Sequence, residues 1–490
     1  MIWLYLTSGL FLGWSLGAND AANIFGAAVS TKMVRFTTAA IVASIFIILG
    51  AVFGGAGTTH TLGVLGDVNA IAGSFTVALA AALTVFLLIR RSLPVSVSQA
   101  IVGAILGWNL FTSSPTDINS LINIVLSWIV NPLLACALSF SIYYLLRAYI
   151  KKSSMHILRL DQYTRIAFLI VAGFGAYALG ANNIAKVVGV FITSSPFQDV
   201  KIFGVTISGV EQLFFAGACS MAVGIITYSN KTISTIGTKI YKLTPLSALS
   251  SVLAASIVLF LFSSTTLDRL MSSAGLPAFP LVPVSITQAM VGAVLGIGFA
   301  KGGRYINYQI LGKIGLGWLI TPVAAGIISF ISLFIVQNVF QAKVYDPLTF
   351  EITVPVLTEI EKTGVRAIRL KPLENKVFEN QSELRQSLNK IGVDREDDIF
   401  KIFHAAKIEY FRIDSNYAKE RLNPNQFTSG EIDAVKRMHN ETFRHRWQIW
   451  DRLRLISEDF SLMPDTPQGE YHNKHLQEKL EIIYTLFKIR

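Results

Sequence analysis

Charge is scarce in this chain. Only 15% of its 490 residues are Asp, Glu, Lys or Arg, against roughly 25% in an ordinary soluble domain. So few charges argue against a soluble cytosolic enzyme. With 52% hydrophobic residues they also exclude a disordered chain, which needs the opposite balance. Cysteine is almost absent: Cys136 and Cys219 both lie in apolar runs and frame neither a disulfide scaffold nor a metal site. The sequence carries no phosphate-cradling nucleotide loop, metal-ligand cluster or nucleophile–base motif, so no enzyme activity, metal or cofactor is expected. Acidic residues are scarcest of all in the first 340 positions, where seven stand against 18 Lys and Arg. Residues 341–490 hold 24 of each sign. The net charge of +11 therefore belongs wholly to the first part, and the neutral second part is not a basic nucleic-acid module.

What the first part does contain is long apolar runs. A hydrocarbon core of about 30 Å needs about 20 apolar residues in a helix. Ile2–Leu16, Phe36–Phe53, Ala70–Ile89, Leu121–Leu146, Ile166–Leu179, Ile207–Tyr228, Pro245–Phe262 and Leu316–Val336 are candidate spans. Several are short or interrupted, so the expectation is about 8 to 12 crossings. Backbone groups in lipid must be satisfied internally, and continuous rather than alternating apolar runs select helices over a β-barrel. Met1–Leu16 has no basic residue before it and reads as a span rather than a signal peptide. Arg147–Arg165 is the clearest basic loop, which the positive-inside rule places on the cytoplasmic side. The expected location is the plasma (inner) membrane, with the C-terminal domain cytoplasmic.

The apolar part repeats itself. Gly17-Ala-Asn-Asp-Ala-Ala-Asn-Ile-Phe-Gly26 matches Gly180-Ala-Asn-Asn-Ile-Ala-Lys-Val-Val-Gly189 at an offset of 163. Pro94-Val-Ser-Val-Ser-Gln99 and the apolar run after it match Pro283-Val-Ser-Ile-Thr-Gln288 at an offset of 189. Trp128-x-x-x-Pro132 matches Trp318-x-x-x-Pro322 at an offset of 190. Three matches in one order point to duplication. Secondary transporters pair such repeats around a midplane site made by broken helices, whose N-termini suit an anion. Gly17-Ala-Asn-Asp reads as an interruption of an apolar run. The Pro-Val-Ser segments read as helix starts, with hydroxyls free to cap or to bind.

The segment Gly17–Asn23 resembles the signature of the inorganic phosphate transporter (PiT) family. The two Pro-Val-Ser segments resemble that family's second repeated motif. The resemblance covers about residues 1–338. It implies a transporter of two inverted repeats with a central anion site, carrying phosphate, or sulfate in some members, usually with Na⁺ or H⁺. The family's acidic and amide positions carry over to Asn19, Asp20, Asn23, Asn182 and Asn183. Its hydroxyl and amide positions carry over to Ser96, Ser98, Gln99, Ser285, Thr287 and Gln288. The expected fold is an all-α polytopic membrane protein with broken or re-entrant helices. Its repeats run over about 1–147 and 166–338 within a membrane domain of 1–340, and a mostly helical soluble domain follows at 341–490. A homodimer is compatible with this plan.

The chain departs from the family pattern at Asn183 and Lys186, where the family repeats Asp and Asn. It departs again at Val97 and Ile286, where Thr is common, and at Ile47, where a membrane glutamate would fall. A hard cation wants several oxygens, ideally a carboxylate among them. An intramembrane lysine is expensive and functional by default. Lys186, with Asp20 as its expected partner, is therefore read as replacing a bound Na⁺ or attracting the anion, which makes the carrier H⁺-coupled or Na⁺-independent. Glu211, near the start of an apolar span, joins Asp20 and Lys186 as a proton-coupling candidate. Inorganic phosphate is the first substrate expected and sulfate the second. A channel and an anion-sensing membrane receptor are the competing classes.

In the soluble part, Phe350–Val356 and Val365–Leu370 read as a strand pair broken at Gly364. Ile399, Ile402, Phe403, Ala406 and Ile408 form a helical stripe, and Glu431–Leu455 reads as one long amphipathic helix. Breaks are expected at Asn423-Pro424-Asn425 and at Pro464–Pro467. His439, His445, His472 and His475 match no metal-ligand motif. A cytosolic regulator is the expected partner of this domain.

Overall fold

The computed structural model describes residues 2–489 except 67, 91–94, 154–155, 196, 198–199, 203–204, 237–243, 275, 304–305, 423–425 and 465–466. Pro94 and the expected break at 423–425 lie outside the described residues. Two compact units are present, one of residues 1–112, 116–265 and 279–346, the other of 113–115, 266–278 and 347–490.

The first unit is helical. Its helices are α1 (Ile2–Ser30), α2 (Phe36–Gly54), α3 (Ala56–Leu65), α4 (Ile71–Arg90), α5 (Val97–Thr112), α6 (Ile118–Lys152), α7 (Ile157–Val188), α8 (Gly209–Ile236) and α9 (Pro245–Ser263). α11 (Ile286–Ala300) and α12 (Tyr308–Asn338) complete it, and the short α10 (Thr265–Ser273), which precedes α11 in the chain, belongs to the second unit in all but its first residue. The hairpin β1 (Val200–Ile202) and β2 (Val205–Ile207) precedes α8. Among the described residues, seven helices are long and apolar enough to cross a membrane. At 1.5 Å per residue, the 35 residues of α6 exceed the bilayer core. Asp117 caps this helix by accepting from the N–H groups of Asn119 and Ser120, and Lys151 and Lys152 end it. The expected basic loop is thus largely helical, with few residues between α6 and α7. Asp268 lies in α10 and His60 in α3. Leu319, Val323, Ile327 and Phe334 form an exposed apolar stripe on α12, suited to lipid.

One expectation fails here. Gly17-Ala-Asn-Asp does not interrupt its helix, and α1 runs unbroken from Ile2 to Ser30. In lipid, a helix interior offers the only full set of backbone partners, so propensity is overridden. The real starts are at the Pro-Val-Ser segments, where α5 begins at Val97 and α11 at Ile286.

Small residues let the helices touch backbone to backbone. A Cβ at Gly17 would overlap the carbonyl oxygen of Met221 in α8, and one at Gly180 in α7 would overlap that of Ile47 in α2. A Cβ at Gly103 in α5 would meet the Pro322 carbonyl of α12, and one at Gly292 in α11 the Pro132 carbonyl of α6. Each motif's helix thus leans on a helix distant from it in the chain.

The second unit holds two modules built to one plan. The first opens with β3 (Phe350–Ile352), followed by α13 (Val354–Lys362), β4 (Lys376–Phe378), α14 (Gln381–Lys390) and α15 (Glu396–Ala406). The second opens with β5 (Phe411–Arg412), followed by α16 (Ser415–Arg421), α17 (Ser429–Arg437), β6 (Thr442–Phe443), α18 (Arg446–Ile456) and α19 (Pro467–Phe487). In each, a left-handed Asn (Asn375 or Asn440) precedes the second strand and donates its N–H to the first strand's Ile352 or to Ile413. Phe350 pairs with Phe378 and Phe411 with Phe443, and each module keeps its own core. The expected strand pair is corrected: Pro355 opens α13, 367–373 forms a 3₁₀ helix, and the partner of β3 is Lys376–Phe378. The expected long helix over 431–455 is two helices, since Asn440 at φ 64° turns the chain between them.

A buried carboxylate sits in the link between the two modules. Glu409 accepts from Arg446 Nε at 2.5 Å and Lys488 Nζ at 2.6 Å, with Lys407 Nζ at 3.4 Å. Burial alone pushes its carboxyl up, but Lys407, Arg446 and Lys488 together hold it well below the usual carboxylate range. A carboxylate depressed in the fold stabilises above its unfolded value, and that stabilisation is lost as pH falls below about 4.3. Glu409→Gln is therefore expected to cost about 3 kcal/mol at pH 7, shrinking steadily below pH about 4. Urea unfolding of both proteins across that range checks this, and a gap that does not narrow with acid refutes it.

Candidate functional site

Four motif segments meet inside the first unit. Along α1, Asn19 is half-buried while Asp20 and Asn23 are buried. On α7, Asn182, Asn183 and Lys186 are all buried. The i, i+4 spacing puts Asn23 and Lys186 one turn beyond Asn19 and Asn182 on the same helix faces. α11 packs on α1, and α5 on α7.

Asp20 and Lys186 are linked, but through an amide rather than directly. Asn183 Nδ2 donates to Asp20 Oδ2 at 3.1 Å, and Lys186 Nζ donates to Asn183 Oδ1 at 2.6 Å. Asn19 Nδ2 donates to the other Asp20 oxygen at 3.1 Å. The expected Asp20–Lys186 contact is thus a relay, with Asn183 turning one amide end to each charge. Lys186 Nζ also donates to the Val284 carbonyl at 2.7 Å.

Val284 precedes α11 and is not helical, so its carbonyl is free of any ladder. Pro283 lacks an N–H and biases its predecessor to extended backbone. This unwound stretch supplies carbonyls where side chains converge. Ser98 Oγ donates to Val284 O at 3.0 Å, and Asn182 Nδ2 to Val282 O at 3.5 Å. Ser285 caps α11 by accepting from Gln288 N, and Ser96 accepts from Gln99 N in the same way on α5. Val97 and Ile286, the positions without a hydroxyl, are the first residues of these two helices. Thr287 is buried beside Gln288. Ile47, in place of a membrane glutamate, is buried in α2.

The cluster is rich in unsatisfied polar atoms. Both amide atoms of Asn23 and of Gln288, Gln99 Oε1 and Asn182 Oδ1 are buried without a hydrogen-bond partner. Buried polar atoms are paired in roughly nine cases of ten. A concentration of orphans at four motifs, beside two helix N-termini and one ammonium, marks this cluster as the candidate polar site.

Glu211 is not brought to this cluster. It is exposed in the first turn of α8, where its Oε2 accepts from Ser208 N at 2.7 Å and Ser208 Oγ at 3.0 Å. Asn131 and the Val282 and Val284 carbonyls belong to the site's surroundings without having been singled out by sequence. Asn131 had one available signal, a polar residue inside an apolar span beside Pro132. A backbone carbonyl carries no residue-type signature at all.

Residues 16–329 match the model of the phosphate transporter family. Among similar proteins is a "Putative phosphate permease" of Pyrococcus abyssi, 26% identical, with 67% of this chain and 96% of that one aligned. A protein of the same description from Methanocaldococcus jannaschii is 28% identical over 67% of this chain and 95% of its own. One from Haemophilus influenzae is 25% identical over 69% and 97%. The solved structure of a sodium-dependent phosphate transporter aligns with 69% of this chain and 98% of its own, at 22% identity and a TM-score of 0.52. At that identity the likeness speaks for the fold.

Proposed function

The chain belongs to the phosphate transporter family, and from that premise we propose that it is a secondary transporter of inorganic phosphate that does not require Na⁺. The observation that carries this is the set of orphaned buried amide atoms on Asn23, Gln99, Asn182 and Gln288, in motif segments that also carry the buried Lys186 ammonium. The orphaned Nδ2 of Asn23 and Nε2 of Gln288 would donate to the oxygens of a tetrahedral anion, and the orphaned oxygens of Gln99 and Asn182 would accept from a protonated one. Asn19, Asp20, Asn183, Ser96, Ser98, Ser285 and Thr287 complete the proposed site by holding these groups or the helix starts beside them. The reciprocal contacts of Gly17 with Met221 and Gly180 with Ile47 support two related halves enclosing it.

The coupling proposal rests on Lys186. Its ammonium already has an amide oxygen at 2.6 Å and an unwound carbonyl at 2.7 Å, the kind of oxygen environment a coupling cation would use. A fixed positive charge there leaves H⁺ as the ion to drive uptake, with the Asp20–Asn183–Lys186 relay as the group that would respond to it. Uptake of labelled phosphate into proteoliposomes is expected to saturate, to proceed without Na⁺ and to rise with an inward H⁺ gradient. Saturable sulfate uptake instead would mark a sulfate permease. Unsaturable flux would mark a pore, and binding without flux an anion-sensing receptor.

A further inference from the structure

Asn131 lies in α6, just before Pro132, and is fully buried. Its Nδ2 donates at 2.9 Å to the carbonyl of Ser285, the capping residue of α11. Its Oδ1 is buried with no hydrogen-bond partner. Asn182 shares this arrangement, with Nδ2 on Val282 O and Oδ1 orphaned, whereas two other orphaned neighbours do not. Asn23 and Gln288 have both ends unpaired, so either end can turn to a ligand. At Asn131 a flip would set carbonyl against carbonyl, so the free end is held as an acceptor. Asp20 is less available for that role, because its two oxygens already accept from Asn19 and Asn183.

A fixed buried acceptor distinguishes the two candidate anions. Near neutral pH phosphate keeps a proton and can donate it in a hydrogen bond, whereas sulfate has none. A site built to pair with a substrate hydroxyl rejects the analogue that lacks it, since its buried group is left unpaired. We propose that Asn131 determines specificity: its Oδ1 accepts the hydrogen bond of a protonated tetrahedral oxyanion seated at the N-terminus of α11, selecting phosphate over sulfate. The inference rests on the anion site proposed above. At the matching position of the second half, Thr321, 190 positions on, instead donates its hydroxyl to Gly317 within its own helix.

Titration calorimetry of the purified full chain with inorganic phosphate and with sulfate at pH 7 tests it. Asn131→Leu is expected to weaken phosphate binding about tenfold and leave sulfate unchanged, collapsing the preference. Should Asn131→Leu not fold, Asn131→Ser, whose hydroxyl is too short to reach, is expected to show the same collapse. Equal weakening of both anions would mean that Asn131 only holds α11 in place, and overturns the proposal. So would a native chain that prefers sulfate or binds neither anion. Binding is read without flux, so a collapse of preference in a chain that moves nothing supports Asn131 and refutes the transporter instead. Sulfate uptake with native sulfate preference does the reverse.

Discussion

Lys186→Ala is expected to cut phosphate uptake at least about a hundredfold in Na⁺-free medium, and to make the remainder respond to added Na⁺. Lys186 is 1% exposed and Asp20 3%. Removing the ammonium strips the buried carboxylate of its counter-charge, which costs about 3–5 kcal/mol in comparable buried pairs, and about 1.4 kcal/mol is already tenfold. The same substitution leaves Asn183 Oδ1 and the Val284 carbonyl without their donor. Those oxygens, with Asp20 one amide away, are what a Na⁺ ion would need. Uptake assays of the variant with and without Na⁺, at matched protein incorporation, decide the matter. Strict Na⁺ dependence of the native chain, unchanged in Lys186→Ala, would refute the replacement of Na⁺ by Lys186. Asp20→Asn in the same background removes the stranded charge. It should restore thermal stability without restoring Na⁺-free uptake, which separates the functional loss from a folding loss.

The membrane helices were legible because lipid imposes a length, and a continuous apolar run has no other use. The starts of α5 and α11 were legible because Pro and Ser mark helix entry whatever surrounds them. Gly17-Ala-Asn-Asp misled for the opposite reason. Its residues break helices in water by offering alternative partners, but inside a bundle Asp20 accepts from Asn183 and Asn19, and the helix continues. In the soluble unit, Asn440 is one polar residue among many, and only its left-handed backbone reveals that it divides 431–455 into two helices. The repeat made the site's side chains legible in pairs. The acceptors they meet, Val282 and Val284, are main-chain atoms freed by the unwound stretch before α11, and Asn131 comes from a helix that carries none of the paired polar motifs.

Gly17→Ala and Gly180→Ala should each destabilise the chain by about 3 kcal/mol, the upper range for overpacking, and reduce uptake in proportion. The obstacle in both cases is a main-chain carbonyl, Met221 in α8 or Ile47 in α2, which cannot rotate aside as a side-chain tip can. The helices must separate instead. Asp20 and Asn183 lie three positions past these glycines, and their mutual hydrogen bond of 3.1 Å requires α1 and α7 to stay in place. The comparison that isolates this cause is Gly315→Ala in α12, where an added Cβ meets nothing within 4 Å. There the methyl relieves a flexible helix residue and should gain about 0.5–1 kcal/mol. Thermal unfolding of all three in detergent, followed by size exclusion, reads the contrast. If Gly17→Ala unfolds at the same temperature as Gly315→Ala, close backbone contact is not what holds α1 against α8. A loss at Gly17 and at Gly180 together, with none at Gly315, means that the same packing holds the two halves of the site at the distance their polar groups require.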